Sequence, residues 1–313
     1  MQNTIGAEYL DFSDGLTRFL WTQNVMVLDV VRGAAPGTRR LLLGERTGAQ
    51  VTHVVAISRS SGSATPIDDE HAVLEHAGRV LRPAFRRSLP EVIERLDVGT
   101  SVRGLAMTAV PGLRSADRRP RTSARELLAA MSEWLGAVWA DTAEGSAPVD
   151  LGGSCVRAVL AQSHPTPMPQ PAAVDIVRRA RARLAEFEVP QTLTHGCLCR
   201  RHIIAAGAVV GVDDWGLGSP AGDPLRDLGR FAVSLADARL PEVLAGRTSF
   251  ATGIRHFVTS ALGRTPVPRK LWREVLLLTQ LELAFEALER GDPHGMARLS
   301  RSVRALQVPT RTR

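Results

Sequence analysis

The stretch Thr194–Asp227, THGCLCRRHIIAAGAVVGVDDWGLGSPAGDPLRD, constrains this chain more than any other. His195, Cys197, Cys199 and His202 crowd its start, an apolar run leads from Ile203 to Val212, and the paired carboxylates of Asp213 and Asp214 follow beside Trp215. Four zinc-type ligands so close together raise a metal site. Structural zinc sites, however, draw their ligands in pairs from separate turns, with C-x-x-C commoner than the C-x-C spacing seen here. The remaining cysteine, Cys155, offers no second pair. A thiolate nucleophile is the other chemistry these residues allow, because Cys197 is near His195 in sequence and is followed by Arg200 and Arg201, cations that lower a thiol pKa. A structural histidine beside inert, partly buried thiols is the reading the residues favour.

Composition narrows the class. The 313 residues suffice for one large core or two packed lobes, and 44% hydrophobic with 23% charged residues is ordinary for a globular protein. No stretch approaches the ~18 uninterrupted apolar residues that suggest a membrane span, and the opening MQNTIGAEYLDFSDGL lacks the basic-then-apolar order of a signal peptide. Three cysteines are too few for a disulfide framework and fit a reducing cytoplasm, the expected location. A net charge of +7 raises nucleic acid as a partner, but the basic residues are nearly all arginine, dispersed along helices, with Lys270 the only lysine. Aromatics at 4% leave little to stack on bases, so the charge reads as solvated surface rather than a nucleic-acid footprint.

The first third alternates short blocks of β-branched and apolar residues with turns, and Val25–Val31, Arg40–Leu43, Val51–Ile57 and Gly104–Ala109 are predicted strands. Between them Asp68–Leu81 places Val73, Leu74, Ala77, Val80 and Leu81 at helical spacing behind leading acidic residues. From Thr122 onward the pattern is helical: Ser123–Ala140, with Ser123 and Glu126 set as a capping box, then Ala172–Phe187, Leu225–Ala238, Phe250–Leu262 and Leu271–Glu289. Ser163–Pro171 is a Pro-rich loop and Thr310–Arg313 a frayed tail.

The HGCLCRRH…VDDW…GDPLRDL segment resembles the catalytic core of aminoglycoside phosphotransferases and choline-kinase-like enzymes, which reads H-G-D-x-x-x-x-N, a short hairpin, a second Asp before Trp or Phe, and G-D-P-x-x-D-L. The resemblance implies an α+β, bilobal protein-kinase-like fold. Residues 1–110 would form a small β-rich N-lobe, an antiparallel sheet plus one helix. Residues 111–313 would form a larger helical C-lobe carrying the loop and the D-W hairpin. The hinge falls at Ala109–Gly112, and Met107 and Ala109 before it are placed among the nucleotide- or ligand-binding positions. Cys197 takes the slot of the catalytic Asp, His202 that of the loop Asn, and Asp214 matches the metal-holding Asp, with Asp213 an added carboxylate. Strand alternation would turn only one of these two toward the site. His195 becomes a scaffold residue that bonds the loop, while Asp223 and Asp227 hold loop and helix starts. The strand lysine should lie in Val54–Arg59, which has none. Arg59 is the substitute candidate for phosphate, and Gly44–Gly48 is a weak stand-in for a phosphate loop. Glu70, with Glu75 second, is the helix glutamate, expected to be solvated because its lysine partner is missing.

Phosphoryl transfer is mainly positioning and charge neutralisation. A thiol is a poor match for hard Mg²⁺, an imidazole does not replace an amide oxygen on it, and a planar guanidinium does not substitute freely for an ammonium. The sequence therefore predicts a pseudo-phosphotransferase with no cofactor or only weak Mg-ATP binding. It would be a binding or accessory protein holding a small molecule or peptide in the interlobe cleft. By analogy with natural-product and modified-peptide biosynthesis it would serve a partner modifying enzyme. The first alternative is an active ATP/Mg-dependent small-molecule phosphotransferase in which Asp214, with Asp213, holds metal and Arg59 contacts phosphate. A thiol- or zinc-dependent activity at Cys197 is the second.

Overall fold

The computed structural model describes residues 14–45, 50–59, 65–97, 102–112, 123–152, 171–206, 209–246 and 248–289, with positions 297 and 301. Along the chain the elements run α1 (Asp14–Thr22), β1 (Met26–Arg32), β2 (Thr38–Gly44), β3 (His53–Arg59), α2 (Pro66–Val80), α3 (Pro83–Arg86), β4 (Val92–Asp97) and β5 (Val102–Thr108). They continue with α4 (Ala124–Thr142), β6 (Glu144–Pro148), α5 (Pro171–Leu184), β7 (Glu188–Thr194), β8 (Ile203–Ala206), β9 (Val209–Val212), β10 (Ser219–Gly222), α6 (Pro224–Ala236), α7 (Leu240–Ala245), α8 (Ser249–Leu262) and α9 (Trp272–Glu289). Two compact units result: Met1–Thr122 with His202–Pro220, and Ser123–Arg201 with Ala221–Arg313. The β8–β9 hairpin and the acidic pair thus fold with the first unit although they lie late in the sequence.

The first unit is built on a five-stranded antiparallel sheet in the order β1-β2-β3-β5-β4. Successive side chains of a strand face opposite ways. The register Leu41↔Val55 therefore puts Leu41, Leu43, Val55 and Ile57 on one face, where Leu16 and Phe19 of α1 join Leu96 and Ala106 in a buried cluster. Arg40 and Leu42, opposite Ala56 and Val54, face the other way, toward Glu70 of α2. A capping box between Thr65 and Asp68, with Pro66 in the first turn, starts α2. Its buried stripe is Ile67, Glu70, Val73, Leu74 and Ala77, so a carboxylate sits in an otherwise apolar row.

The second unit is mostly helical, with β6 and β7 paired antiparallel. Ser123 and Glu126 form the predicted capping box at the start of α4. Near its end Thr142 accepts the Leu193 amide at 2.9 Å, tying helix to strand β7. Asp223 caps α6, whose Leu225, Leu228, Phe231 and Ala232 are buried, and Phe231 meets Phe257 of α8 edge-on at 5.3 Å. Gly229 lets α6 lie close to α9: a Cβ there would stand 2.0 Å from Thr279 Oγ1.

The predicted strands and helices are present with small shifts at their ends. The structure adds α1, α3, α7, β4, β6, β7 and β10. Strand β4 mixes its apolar residues with exposed charge at Glu94 and Arg95, and Glu144–Pro148 has almost no apolar residue, so neither offers an apolar block. Most of the Gly44–Gly48 turn, together with Cys155, the 163–170 run and the 310–313 tail, lies outside the described residues. Among the described residues no helix is long and apolar enough to cross a membrane.

Candidate functional site

In the first unit, strand β2, helix α2 and the end of hairpin β8–β9 bring four ionisable side chains together. Arg40 is 3% exposed; its Nη2 donates to Glu70 Oε1 and its Nε lies 2.9 Å from Asp214 Oδ1. The same Glu70 oxygen accepts the Trp215 backbone N–H at 3.0 Å, and the Trp215 indole donates to the Val212 carbonyl at 3.0 Å. His202 is buried with Nε2 3.7 Å from Asp214 Oδ2, and the Asp213 N–H donates to the His202 carbonyl at 3.0 Å. The Val212 N–H donates to the Ser88 carbonyl, pinning the hairpin within the unit. Burial alone would lower the Arg40 pKa. The fields of Glu70, Asp214 and Asp213, with the Glu70 hydrogen bond, outweigh it and hold the guanidinium above its ordinary value. Arg40 is therefore a permanent cation.

Several sequence expectations change here. Glu70 is not solvated: it is 1% exposed, and its partner is an arginine from β2 rather than a residue of β3. Asp213 and Asp214 do not alternate as strand neighbours, because β9 ends at Val212 and Asp214 takes the left-handed conformation at φ 67°. Non-glycine residues rarely hold that conformation, and those that do concentrate at functional sites. Both carboxylates are buried and both act on Arg40. Arg59 ends β3, exposed and three residues from Ala56, the position opposite Arg40, so alternation turns it to the opposite sheet face. Met107 is fully buried on β5, paired with Val54 on the Arg40 side, and the Ala109 amide bonds the Thr52 carbonyl.

In the second unit, the loop after β7 is clamped by Asp227. Its carboxylate accepts the backbone N–H groups of His195 and Gly196, the latter at 3.0 Å and φ 78°, a conformation that suits glycine. Burial raises the Asp227 pKa even though these bonds and Arg230 favour its charged form. His195 is fully buried, and its Nδ1 lies 3.5 Å from Cys197 Sγ and 3.4 Å from the Cys197 amide nitrogen. Cys197 and Cys199 are half-buried and not joined in a disulfide. Arg200 and Arg201 are exposed, whereas Arg230 of α6 is buried and held by Glu286 and Glu282 of α9, which outweigh burial and keep its pKa raised.

Arg40 and Arg230 are the residues that sequence reasoning missed. Arg40 stands beside Arg39 ahead of the apolar run of β2, and no local signal marks it as the buried one of the two. Arg230, midway along α6, carried none.

No protein-family model matches the chain, and no curated protein matches it in sequence. Solved structures do. A thermostable mutant of aminoglycoside phosphotransferase APH(4)-Ia, in ternary complex with ADP and hygromycin B, superposes with TM-score 0.58 at 14% identity, over 93% of this chain and 99% of that one. Choline kinase LicA from Streptococcus pneumoniae gives TM-score 0.59 at 15% identity, over 93% and 97%. A putative fructosamine-3-kinase from Thermobifida fusca gives 0.55 at 17%, over 93% and 98%. The chain has the mixed α+β, protein-kinase-like fold of these phosphotransferases.

The divalent metal that this fold implies does not fit the residues present. Mg²⁺ demands hard oxygen ligands in near-octahedral array. Here one oxygen of Asp214 is taken by the Arg40 guanidinium and the other faces an imidazole.

Proposed function

We propose that this protein binds its ligand on a phosphotransferase scaffold without transferring phosphate. One observation carries the reading: the carboxylate aligned with the metal-holding Asp, Asp214, is paired in the buried interior with Arg40, which also holds Glu70. Charge that a phosphoryl-transfer site spends on metal and phosphate is here balanced by the protein itself. The loop chemistry agrees. At the position aligned with the catalytic base stands Cys197, beside the Nδ1 of a fully buried imidazole. No carboxylate stands there to orient a hydroxyl.

The ligand class is a small molecule or a short peptide, and the role is accessory to a modifying enzyme of small-molecule or modified-peptide biosynthesis. Support for a small molecule is fold-level analogy: the structurally similar phosphotransferase is seen with hygromycin B and ADP. The test is ATP turnover with Mg²⁺ across a panel of hydroxyl- and amine-bearing acceptors. No ADP release above that of an Asp214→Ala variant is expected; acceptor-dependent ADP release that this variant loses would overturn the reading.

A second reading, a working phosphotransferase with rearranged residues, has one observation in its favour. The Arg40–Glu70 pair retains a cation on the helix carboxylate, and a phosphate-gripping site needs such a pair. The same assay separates the two.

A further inference from the structure

We propose that Arg40 is the resident cation of the first unit's site, standing in for strand lysine and divalent metal together, and that removing it turns Glu70 and Asp214 into a divalent-cation site. The inference rests on the binding-protein reading above and adds the physical reason for it.

The geometry carries the argument. A guanidinium is planar and presents several donors in a fixed fork, so one side chain can bridge two carboxylates that a lysine ammonium contacts one at a time. Arg40 uses Nε for Asp214 and Nη2 for Glu70, from a position 3% exposed. It arrives from β2, on the sheet face opposite that of Arg59, so the cation has moved to a neighbouring strand rather than disappeared. Glu70 is held a second time by the Trp215 amide, and Asp214 has His202 Nε2 3.7 Å from its other oxygen. Each carboxylate thus has a contact additional to Arg40.

Glu70 and Asp214 both contact this one guanidinium. With Arg40 gone they would stay buried with the cation between them lost, an arrangement costly enough to take up another cation. Both are hard oxygen donors of the kind Mg²⁺ and Mn²⁺ prefer.

The test is Mn²⁺ binding followed by electron paramagnetic resonance, without nucleotide, on wild type, Arg40→Gln, Arg40→Lys and the Arg40→Gln/Asp214→Asn double variant. Arg40→Gln should bind Mn²⁺ at least about tenfold more tightly than wild type, the low end of what one adjacent opposite charge is worth to a carboxylate. The double variant should lose that gain. Arg40→Lys contacts only one carboxylate and should bind more tightly than wild type, which keeps the test decisive if Arg40→Gln does not fold. Wild type binding Mn²⁺ as tightly as the foldable Arg40 variants, or a gain that survives Asp214→Asn, overturns the inference. Failure of the binding-protein reading looks different: it is ATP turnover by wild type, a measurement the metal titration does not include.

Discussion

Arg40 meets two carboxylates inside the first unit with almost no access to water, and that sets the size of the effect expected on losing it. Breaking a buried ion pair by deleting one partner costs about 3–5 kcal/mol, because the other charge stays buried and uncompensated. Urea denaturation of Arg40→Ala should show a loss of that order. Glu75→Ala, at a half-exposed carboxylate on the same helix, should stay within about 0.5 kcal/mol. Equal losses from the two would remove Arg40 from the centre of the account. A pH effect belongs at Asp223, whose carboxyl burial pushes up from 3.8 to about 6 despite the Leu225 amide and Arg226. Between those values the folded chain keeps a proton that the unfolded chain has lost, so stability is greatest below the lower value and falls as pH rises through the upper one. Asp223→Asn keeps the helix cap and removes the titration. Relative to it, wild type should lose about 2–3 kcal/mol between pH 4 and 7 in denaturant melts, because each tenfold difference in proton affinity between folded and unfolded chains is worth about 1.4 kcal/mol. At this scale the sequence was partly legible. Glu70 could be placed by helical spacing, since it falls in the row with Ile67, Leu74 and Ala77; its burial depended on a partner two elements away. Nothing local distinguished Arg40 from Arg39, because β2 is buried on both faces and shows no alternation.

Elements were read more readily where their signals are local. Capping residues fixed the start of α4, and short apolar blocks fixed β1, β2, β3 and β5. Strands β4 and β6 escaped because exposure on an edge leaves little apolar pattern to read. The acidic pair was misjudged for a related reason: alternation applies within a strand, and β9 ends one residue before Asp213. Packing between helices was invisible in the sequence, yet it makes a clear prediction at Gly229. Alanine is the better helix former by about 1 kcal/mol, but its methyl would collide with Thr279 of α9, which is itself fully buried. Gly229→Ala should therefore destabilise by about 1–3 kcal/mol, and Gly229→Ala with Thr279→Ala should recover part of the loss in thermal melts followed by circular dichroism. A stable single variant would show that the helices have room to spare.

At the scale of the whole molecule, a shared fold leaves the chemistry open. The chain follows the fold of phosphotransferases over nearly its full length at only 14–17% identity. Fold was legible from the H-G-x loop, the D-W hairpin and the G-D-P-x-x-D-L segment, because those residues hold backbone: Asp227 clamps the loop and Asp223 caps a helix. The resident arginine that occupies Asp214 was not legible, because it comes from a distant strand. The most direct test of that arginine's role is the stability of purified wild-type protein titrated with ATP, with and without Mg²⁺. A ligand at a hundred times its dissociation constant adds about 2.7 kcal/mol to a folded protein. No metal-dependent gain is expected, because Arg40 already fills the cation's role; a clear rise in melting temperature that requires both Mg²⁺ and ATP would contradict it.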